Sequence, residues 1–352
     1  MSYPNADVSF PGLLGDWRFT LSPKFLDVGN GVYWYGVLIA AGLLIALWFC
    51  MKRAPRYGLT EDNIIDTVLW AIPFSILGAR IYYVLFYLDQ FRTADGAINW
   101  SETYRVWDGG IAIYGAIIGA FVTAWIVCRH KKLRFWAMTD CAAAGLLIGQ
   151  AIGRWGNFFN REAFGNMTDL PWRMRLWIDG SYYIDVHPTF LYESLWNLVG
   201  LVILCLVVDK ARRFDGENTC FYFLWYGVGR FWIEGLRTDS LYLFHVTLFG
   251  ERVRVSQALS VVVVIVAAIV WLRNRKADPA RMFVNEQLAA QVTTLPDLSE
   301  ERPVADTPAQ PDSAAEDAPV EGASVSAPAN GQAPADAAPV AEDAAQTEQA
   351  AE

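Results

Sequence analysis

Apolar stretches recur along the first 275 positions of the chain, each closed by a short polar segment. Seven of them predict helices, at about 31–50, 64–88, 110–128, 135–152, 189–208, 219–236 and 256–272. Each is near the length of about 20 residues needed to cross a bilayer's hydrocarbon core. Two are interrupted: Pro73 and Arg80 fall in the second, Asp140 and Gln150 in the fourth. Lipid satisfies none of those groups, so neighbouring helices must do so. The pattern predicts an all-α polytopic membrane protein with about seven transmembrane helices.

Basic residues follow every second stretch: Lys52, Arg53 and Arg56; then Arg129, Lys131, Lys132 and Arg134; then Lys210, Arg212 and Arg213; then Arg273, Arg275 and Lys276. The positive-inside rule makes those connections cytoplasmic, and so places the amino terminus and the segments near 89–109, 153–188 and 237–255 outside. Arg18 is the first basic residue and the first apolar run begins near Gly31. That start lacks the basic leader of a cleavable signal, and the first helix is expected to be retained.

With 54% of its residues hydrophobic and 14% aromatic, the composition agrees with a membrane protein. The net charge of −9 is misleading, because residues 277–352 hold 15 acidic and 2 basic residues and residues 1–276 hold 22 and 26. The chain therefore divides into an integral membrane domain, 1–276, and an acidic Ala/Pro-rich cytoplasmic tail, 277–352. The tail has too little bulky apolar content to offset its ordering entropy and is expected to be disordered. Cys50, Cys128, Cys141, Cys205 and Cys220 lie in or beside apolar stretches, as small buried hydrophobes do. No Cys/His spacing resembles a metal motif, and no metal or cofactor is expected. The basic residues form short flanks and not a continuous stripe, which argues against nucleic-acid binding.

Candidate chemistry concentrates on one side. Residues 153–165 read Gly-Arg-Trp-Gly-Asn-Phe-Phe-Asn-Arg-Glu-Ala-Phe-Gly directly after an apolar run. Two arginines, a glutamate and two asparagines at a membrane edge suggest a polar site for a charged lipid. In the sixth stretch Tyr226, Arg230 and Glu234 follow at intervals of four, with Arg237 three further on, so they share one helical face that must turn inward. Tyr35, Arg80, Tyr83 and Tyr114 lie toward the same side, as do His187 and, beyond Pro188, which suits a first helical turn, Tyr192 and Glu193. A planar guanidinium grips a phosphodiester by paired hydrogen bonds, whereas a loop arginine also snorkels to head groups; Arg105, Arg154, Arg161, Arg173, Arg175, Arg237, Arg252 and Arg254 are open to either reading.

The run 153–165 resembles the signature of the bacterial prolipoprotein diacylglyceryl transferases. Similar in the family's order are Trp34-Tyr35-Gly36, Gly78-Ala79-Arg80 with Tyr83, Arg105-Val106-Trp107-Asp108-Gly109-Gly110, His187-Pro188 with Leu191-Tyr192-Glu193, and Tyr226 through Arg230 and Glu234 to Arg237. The resemblance implies a seven-helix enzyme of the bacterial inner membrane. It moves the diacylglyceryl group of phosphatidylglycerol to the lipobox cysteine thiol of a preprolipoprotein signal peptide, forming a thioether and releasing glycerol phosphate, the first step of lipoprotein maturation. By motif position it implies Arg154, Asn157, Glu162 and Gly165 as site residues, with Tyr35, Tyr226, Arg230, Glu234 and Arg237. Arg80, Asn160 and His187 join them as candidates for binding substrate. Where some members have histidine in a sequence like Ser-Phe-His-Gly-Gly, this chain reads Ala112-Ile113-Tyr114-Gly115-Ala116, so a histidine base is not available there.

The nucleophile comes from the substrate, since alkylating sulfur needs a thiolate and a free cysteine of pKa about 8.5 is only partly ionised at neutral pH. Arg154 and Arg230 are the candidates for holding the phosphodiester, with Asn157 and Tyr35 orienting the head group. Glu162, Glu234, Tyr114 and the departing phosphate all stand open as the thiol's proton acceptor. Intramembrane arginines and glutamates also mark anion transporters, but no matching interrupted segments pair two halves of this chain. A scaffold that recruits partners through its tail is a third reading. Deleting residues 280–352 separates it from a transferase: lipid transfer to a reporter peptide is expected to persist near its full rate.

Overall fold

The computed structural model describes residues 2–15, 17–27, 31–93, 96–238, 242–248 and 251–276, and of residues 242–248, 251–253 and Asp108 only the backbone. The segment 277–352, expected to be disordered, lies outside the described residues. A one-turn helix, α1 (Pro11–Leu14), precedes the first long helix, α2 (Trp34–Arg53). Then come α3 (Glu61–Phe86), the short α4 (Trp100–Thr103), α5 (Ile113–His130), α6 (Phe135–Asn160), α7 (Thr189–Ile203), α8 (Glu217–Leu236) and α9 (Val255–Lys276). A π turn over Leu204–Val208 prolongs α7.

Six of these helices, α2, α3, α5, α6, α7 and α9, are long and apolar enough to cross a membrane. The remaining predicted span, α8, has 20 residues and is more polar. It still joins the two ends of the bundle, because Glu217 pairs with Arg275 of α9 at one end and Glu234 lies at the other. Its polarity is turned inward: Glu217, Asn218, Thr219 and Glu234 are all buried. Such a helix scores poorly as a lipid-facing span because its neighbours, and not lipid, are its solvent.

The packing centres on α6, which is buried along much of its length and lies against α2, α7 and α8. α8 packs in turn on α9, while α3 and α5 form a close pair of their own. Their approach depends on small residues, since a Cβ on Gly78 would lie 2.5 Å from the Gly115 carbonyl oxygen.

The fourth span runs further than expected. α6 continues past position 152 to Asn160, so the first half of the 153–165 signature is helix and not loop. No proline interrupts it, and the cost of about 1 kcal/mol for an interior glycine is offset by packing, because the Tyr35 ring lies against the Gly156 backbone. The helix stops where Arg161 turns left-handed, at φ 48°.

The basic flanks gather at one end of the bundle. Arg53 lies 2.5 Å from Asp209, whose carboxylate also accepts from Tyr57 and Asn218 at 2.7 and 2.8 Å. Arg134 pairs with Asp215 at 2.5 Å. Asp140, the carboxylate that interrupts the fourth span, caps a different helix: Gly216 N and Thr219 N donate to it at 2.8 and 2.9 Å, and Thr219 Oγ1 donates at 2.8 Å. Unpaired N–H groups at the start of α8 would otherwise be buried without a partner.

Small sheets, which the helical periodicity did not predict, cover the opposite end. β1 (Asp7–Ser9) and β2 (Arg18–Phe19) precede the pair β3 (Lys24–Leu26) and β4 (Val32–Tyr33). β5 (Met174–Asp179) and β6 (Tyr182–Val186) follow, and β7 (Tyr242–Leu248) pairs with β8 (Glu251–Arg254). The largest sheet has the antiparallel order β2-β1-β5-β6, and its inner face buries Val8, Met174, Leu176 and Val186 against Phe164 and Phe190. In this sheet only β5 and β6 are long enough to show alternation. Arg175 and Arg173 hold the Asp185 carboxylate at 2.7 and 2.9 Å, and the Arg175 hydrogen bond foremost keeps its pKa below the usual value.

Two predictions follow from this frame. Asp140→Ala leaves the first amides of α8 unpaired and is expected to destabilise the folded protein by about 1–3 kcal/mol, read as an earlier thermal unfolding in detergent, with Asp140→Asn milder. Because the Asp185 pKa is depressed in the fold, its stabilisation is present above the unfolded value of about 4 and disappears as pH falls through the lower folded value. Amide protection factors in β5 and β6 are therefore expected to drop on acidification below that range, and Asp185→Asn to remove this dependence.

Candidate functional site

The charged stripe of α8 meets α6 and α7 at the end of the bundle opposite the basic flanks. Arg154, on α6, places Nε 2.6 Å from Glu193 Oε2. Arg230, on α8, reaches Glu193 Oε1 at 3.4 Å and Glu234 at 2.6 Å, and Arg237 reaches Glu193 Oε1 at 3.7 Å. The two carboxylates are almost inaccessible, at 7% and 2% side-chain exposure, and the three guanidinium side chains retain 24%, 17% and 12%. Three cations from two helices thus share one enclosure, where low dielectric strengthens each contact.

Local packing fixes this geometry. Trp196 of α7 and Trp225 of α8 stack at 4.4 Å, and each indole N–H donates to the other's backbone carbonyl, at 2.9 and 2.8 Å. The rings fit because Gly200 and Gly229 face them; a Cβ at either position would collide with an indole. Across the other interface Trp155 Nε1 donates to Ser194 Oγ at 3.2 Å, and Ser194 Oγ donates to the Ala151 carbonyl at 2.9 Å. Ser194 and Trp196, just after Glu193, are therefore pinned to α6 and α8. One turn deeper, Gln150 donates to Tyr222 OH at 2.8 Å, and Tyr222 stacks on Tyr226 at 5.9 Å, so the α8 stripe continues toward the bundle centre.

A second polar group forms at the end of α6. Asn157 and Asn160 donate their side-chain amides to Glu162 Oε1 at 3.0 and 3.2 Å. Glu162 is set between Arg161 and Ala163, both at positive φ, 48° and 57°. Two left-handed residues without glycine cost about 1–3 kcal/mol each. The turn is held by Thr189 Oγ1, 2.5 Å from the Ala163 carbonyl, and by the buried Arg161 guanidinium, which donates to the carbonyls of Tyr3, Leu21 and Phe159. Arg161 is thus a fastener of this turn, and Arg173 and Arg175 are committed to Asp185, so none of these three snorkels.

Gly165 and His187 lie beside the cluster. Gly165 N donates to the His187 carbonyl at 3.0 Å, and Gly165 forms a bridge with Arg237. A Cβ at Gly165 would lie 2.7 Å from His187 Cβ, so the close approach requires glycine. The His187 ring faces Tyr192 OH at 3.2 Å, and burial lowers its pKa, which keeps it neutral near pH 7. Tyr35 sits across Gly156, between Arg154 and Asn157 along α6.

Arg80 and Tyr114 belong to the α3–α5 pair. The Arg80 guanidinium donates to four backbone carbonyls, those of Glu102, Thr103, Gly109 and Gly110, at 2.6 to 2.8 Å. It ties down the segment leading into α5 and lines a hollow of about 350 Å³ with Tyr83 and Arg105. Tyr114 is half-exposed, its ring tilted against Tyr82 at 6.2 Å. No group of His, Cys, Asp and Glu among the described residues is arranged to hold a metal.

The residue on which the arginines converge was named in the sequence but given no role at the site. Glu193 lies in the His-Pro segment, and its only signal was a carboxylate placed inside the membrane by the first turn of α7. Asp140 and the Trp196–Trp225 pair likewise carry no spacing signal.

The family profile of prolipoprotein diacylglyceryl transferase matches residues 23–273. The chain is 44% identical over 278 residues to a Listeria monocytogenes phosphatidylglycerol–prolipoprotein diacylglyceryl transferase, covering 76% of this chain and 95% of that protein. It is 43% identical over 263 residues to the Geobacillus kaustophilus protein of the same name, covering 72% and 93%. Its identity to the one from Lysinibacillus sphaericus is 44% over 267 residues, covering 73% and 93%. The matched span contains both polar groups and all seven long helices except the last turn of α9, and the chain belongs to the prolipoprotein diacylglyceryl transferase family.

Proposed function

We propose that this chain transfers the diacylglyceryl group of phosphatidylglycerol to the lipobox cysteine of preprolipoproteins, at the cluster where Arg154 and Arg230 meet. The observation that carries this is their shared carboxylate: guanidiniums from α6 and α8 reach opposite oxygens of Glu193, at one depth in the bundle. That arrangement suits a phosphodiester, which also spreads one negative charge over two oxygens and accepts paired hydrogen bonds from planar donors.

In the reaction the substrate thiolate attacks the glycerol carbon that bears the phosphate ester. The carbon–sulfur bond forms, the carbon–oxygen bond breaks, and glycerol phosphate leaves with the electron pair. Arg154 and Arg230 stabilise the charge that gathers on the leaving phosphate, and their preorganisation by ion pairs spares the cost of reorienting them. Asn157, three residues beyond Arg154 and on the same face of α6, orients the head group, with Tyr35 contributing from the α2 side, where its ring lies on Gly156. Glu162 and Glu234 are held by asparagine and arginine partners, and with Tyr114 and the departing phosphate they make up the candidates for taking the thiol's proton. Arg80 acts through the segment it holds, by setting where Tyr114 begins α5.

The basic end of the bundle, with Arg53, Arg134 and Arg275, is the cytoplasmic one by the positive-inside rule. The site then faces outward in the bacterial inner membrane, where an exported signal peptide presents its cysteine, with the amino terminus outside and the acidic tail in the cytoplasm.

Purified protein incubated with labelled phosphatidylglycerol vesicles and a lipobox peptide tests the assignment. Arg154→Ala and Arg230→Ala are each expected to lower transfer by about a hundredfold or more while the protein still inserts in the membrane. Transfer near the unaltered rate by either variant would falsify the roles given to these arginines.

A further inference from the structure

Glu193 holds its arginines unevenly. Oε2 takes one tight contact, from Arg154 at 2.6 Å, whereas Oε1 is shared by Arg230 at 3.4 Å and Arg237 at 3.7 Å. Charge-assisted hydrogen bonds settle at about 2.7–2.9 Å, so the α8 side of the carboxylate is a loose fit. Arg237 has a further interaction and Arg230 a close one with Glu234. A buried guanidinium without an anion is costly, and the cluster must keep its shape before any lipid arrives. A carboxylate resembles a phosphodiester in its charge and in its two equivalent acceptor oxygens.

We propose that Glu193 is a resident stand-in for the lipid phosphate. It gathers Arg154, Arg230 and Arg237 in the empty enzyme, and the incoming phosphodiester takes the Arg230 and Arg237 donors from Oε1. Arg154 keeps its ion pair with Oε2 through Nε and offers its Nη atoms to the lipid. The inference rests on the phosphate-binding reading above and assigns Glu193 the part of a specificity-determining residue.

Two consequences separate this role from simple support. Binding is taxed, because the lipid finds the donors free for only a fraction of the time. A lipid without phosphate displaces nothing, so once glycerol phosphate has gone Glu193 closes on the arginines again and the neutral thioether product loses its hold.

Glu193→Gln keeps the side chain's size and one acceptor oxygen but removes the competing charge. If the carboxylate holds the α8 arginines for nine-tenths of the time, the KM for phosphatidylglycerol is expected to fall by about tenfold. Inhibition by added glycerol phosphate should tighten in parallel. A merely structural role would raise KM or lower kcat, and would not lower KM. An unchanged or higher KM in Glu193→Gln, while Arg154→Ala and Arg230→Ala abolish transfer, overturns the stand-in and leaves the phosphate site in place. Persistent transfer by the arginine variants instead sinks the phosphate site itself. If Glu193→Gln does not fold, Glu193→Asp decides: it keeps the charge but withdraws it from α8, so a lower KM supports the proposal and an equal or higher one refutes it.

Discussion

The arrangement of the half of this protein that carries the arginine cluster turns on the burial of several arginines within a bundle that must otherwise be apolar. Guanidinium groups cannot be left alone at that depth, so each arginine that enters the bundle dictates what surrounds it. Arg154, Arg230 and Arg237 require Glu193 and Glu234; Arg161 requires three carbonyls; Arg80 requires four. The irregular backbone at this end, including the left-handed turn around Glu162 and the segment before α5, is in large part the set of acceptors that these cations collect.

The opposite end applies the same rule to hold the helices in register. Asp140 of α6 caps α8, Asp209 after α7 binds Arg53 of α2, and Glu217 of α8 binds Arg275 of α9. A membrane supplies little hydrophobic drive between helices, so packing of small residues and polar links of this kind carry the association. The α8 helix is fastened at its first turn by Asp140, at its middle by the Trp225–Trp196 pair, and near its end by Glu193. Those three fastenings fix how deep Arg230 lies and which way it faces, and in this sense the chemistry of the site is set across the whole thickness of the bundle.

Family membership and physical reading meet on the same residues but add different things. The family similarity spans residues 23–273 and names the activity of the relatives. The geometry shows how arginines at two distant sequence positions come to share one carboxylate, and why a glycine is needed at 165, where His187 and Leu236 leave no room for a side chain. It also separates the arginines into those that converge on carboxylates at the site and those, Arg80 and Arg161, that spend their donors on backbone.

Much of this was legible in the order of residues alone. Hydrophobic stretches of membrane length are local signals, and they located the helices; charge alternation between stretches located the basic end; a spacing of four placed Tyr226, Arg230 and Glu234 on one face. The length of α6 was misjudged because glycines weaken a helix only until a neighbour such as Tyr35 packs against them, and that neighbour is over a hundred positions away. Glu193 was named without a role for a related reason. Its sequence neighbourhood tells only that it lies inside the membrane, whereas its importance comes from cations on α6 and α8 that reach it through tertiary packing. Periodicity is written within one segment of chain, but pairing of buried charge is a property of segments brought together, and only the folded bundle decides which charge meets which.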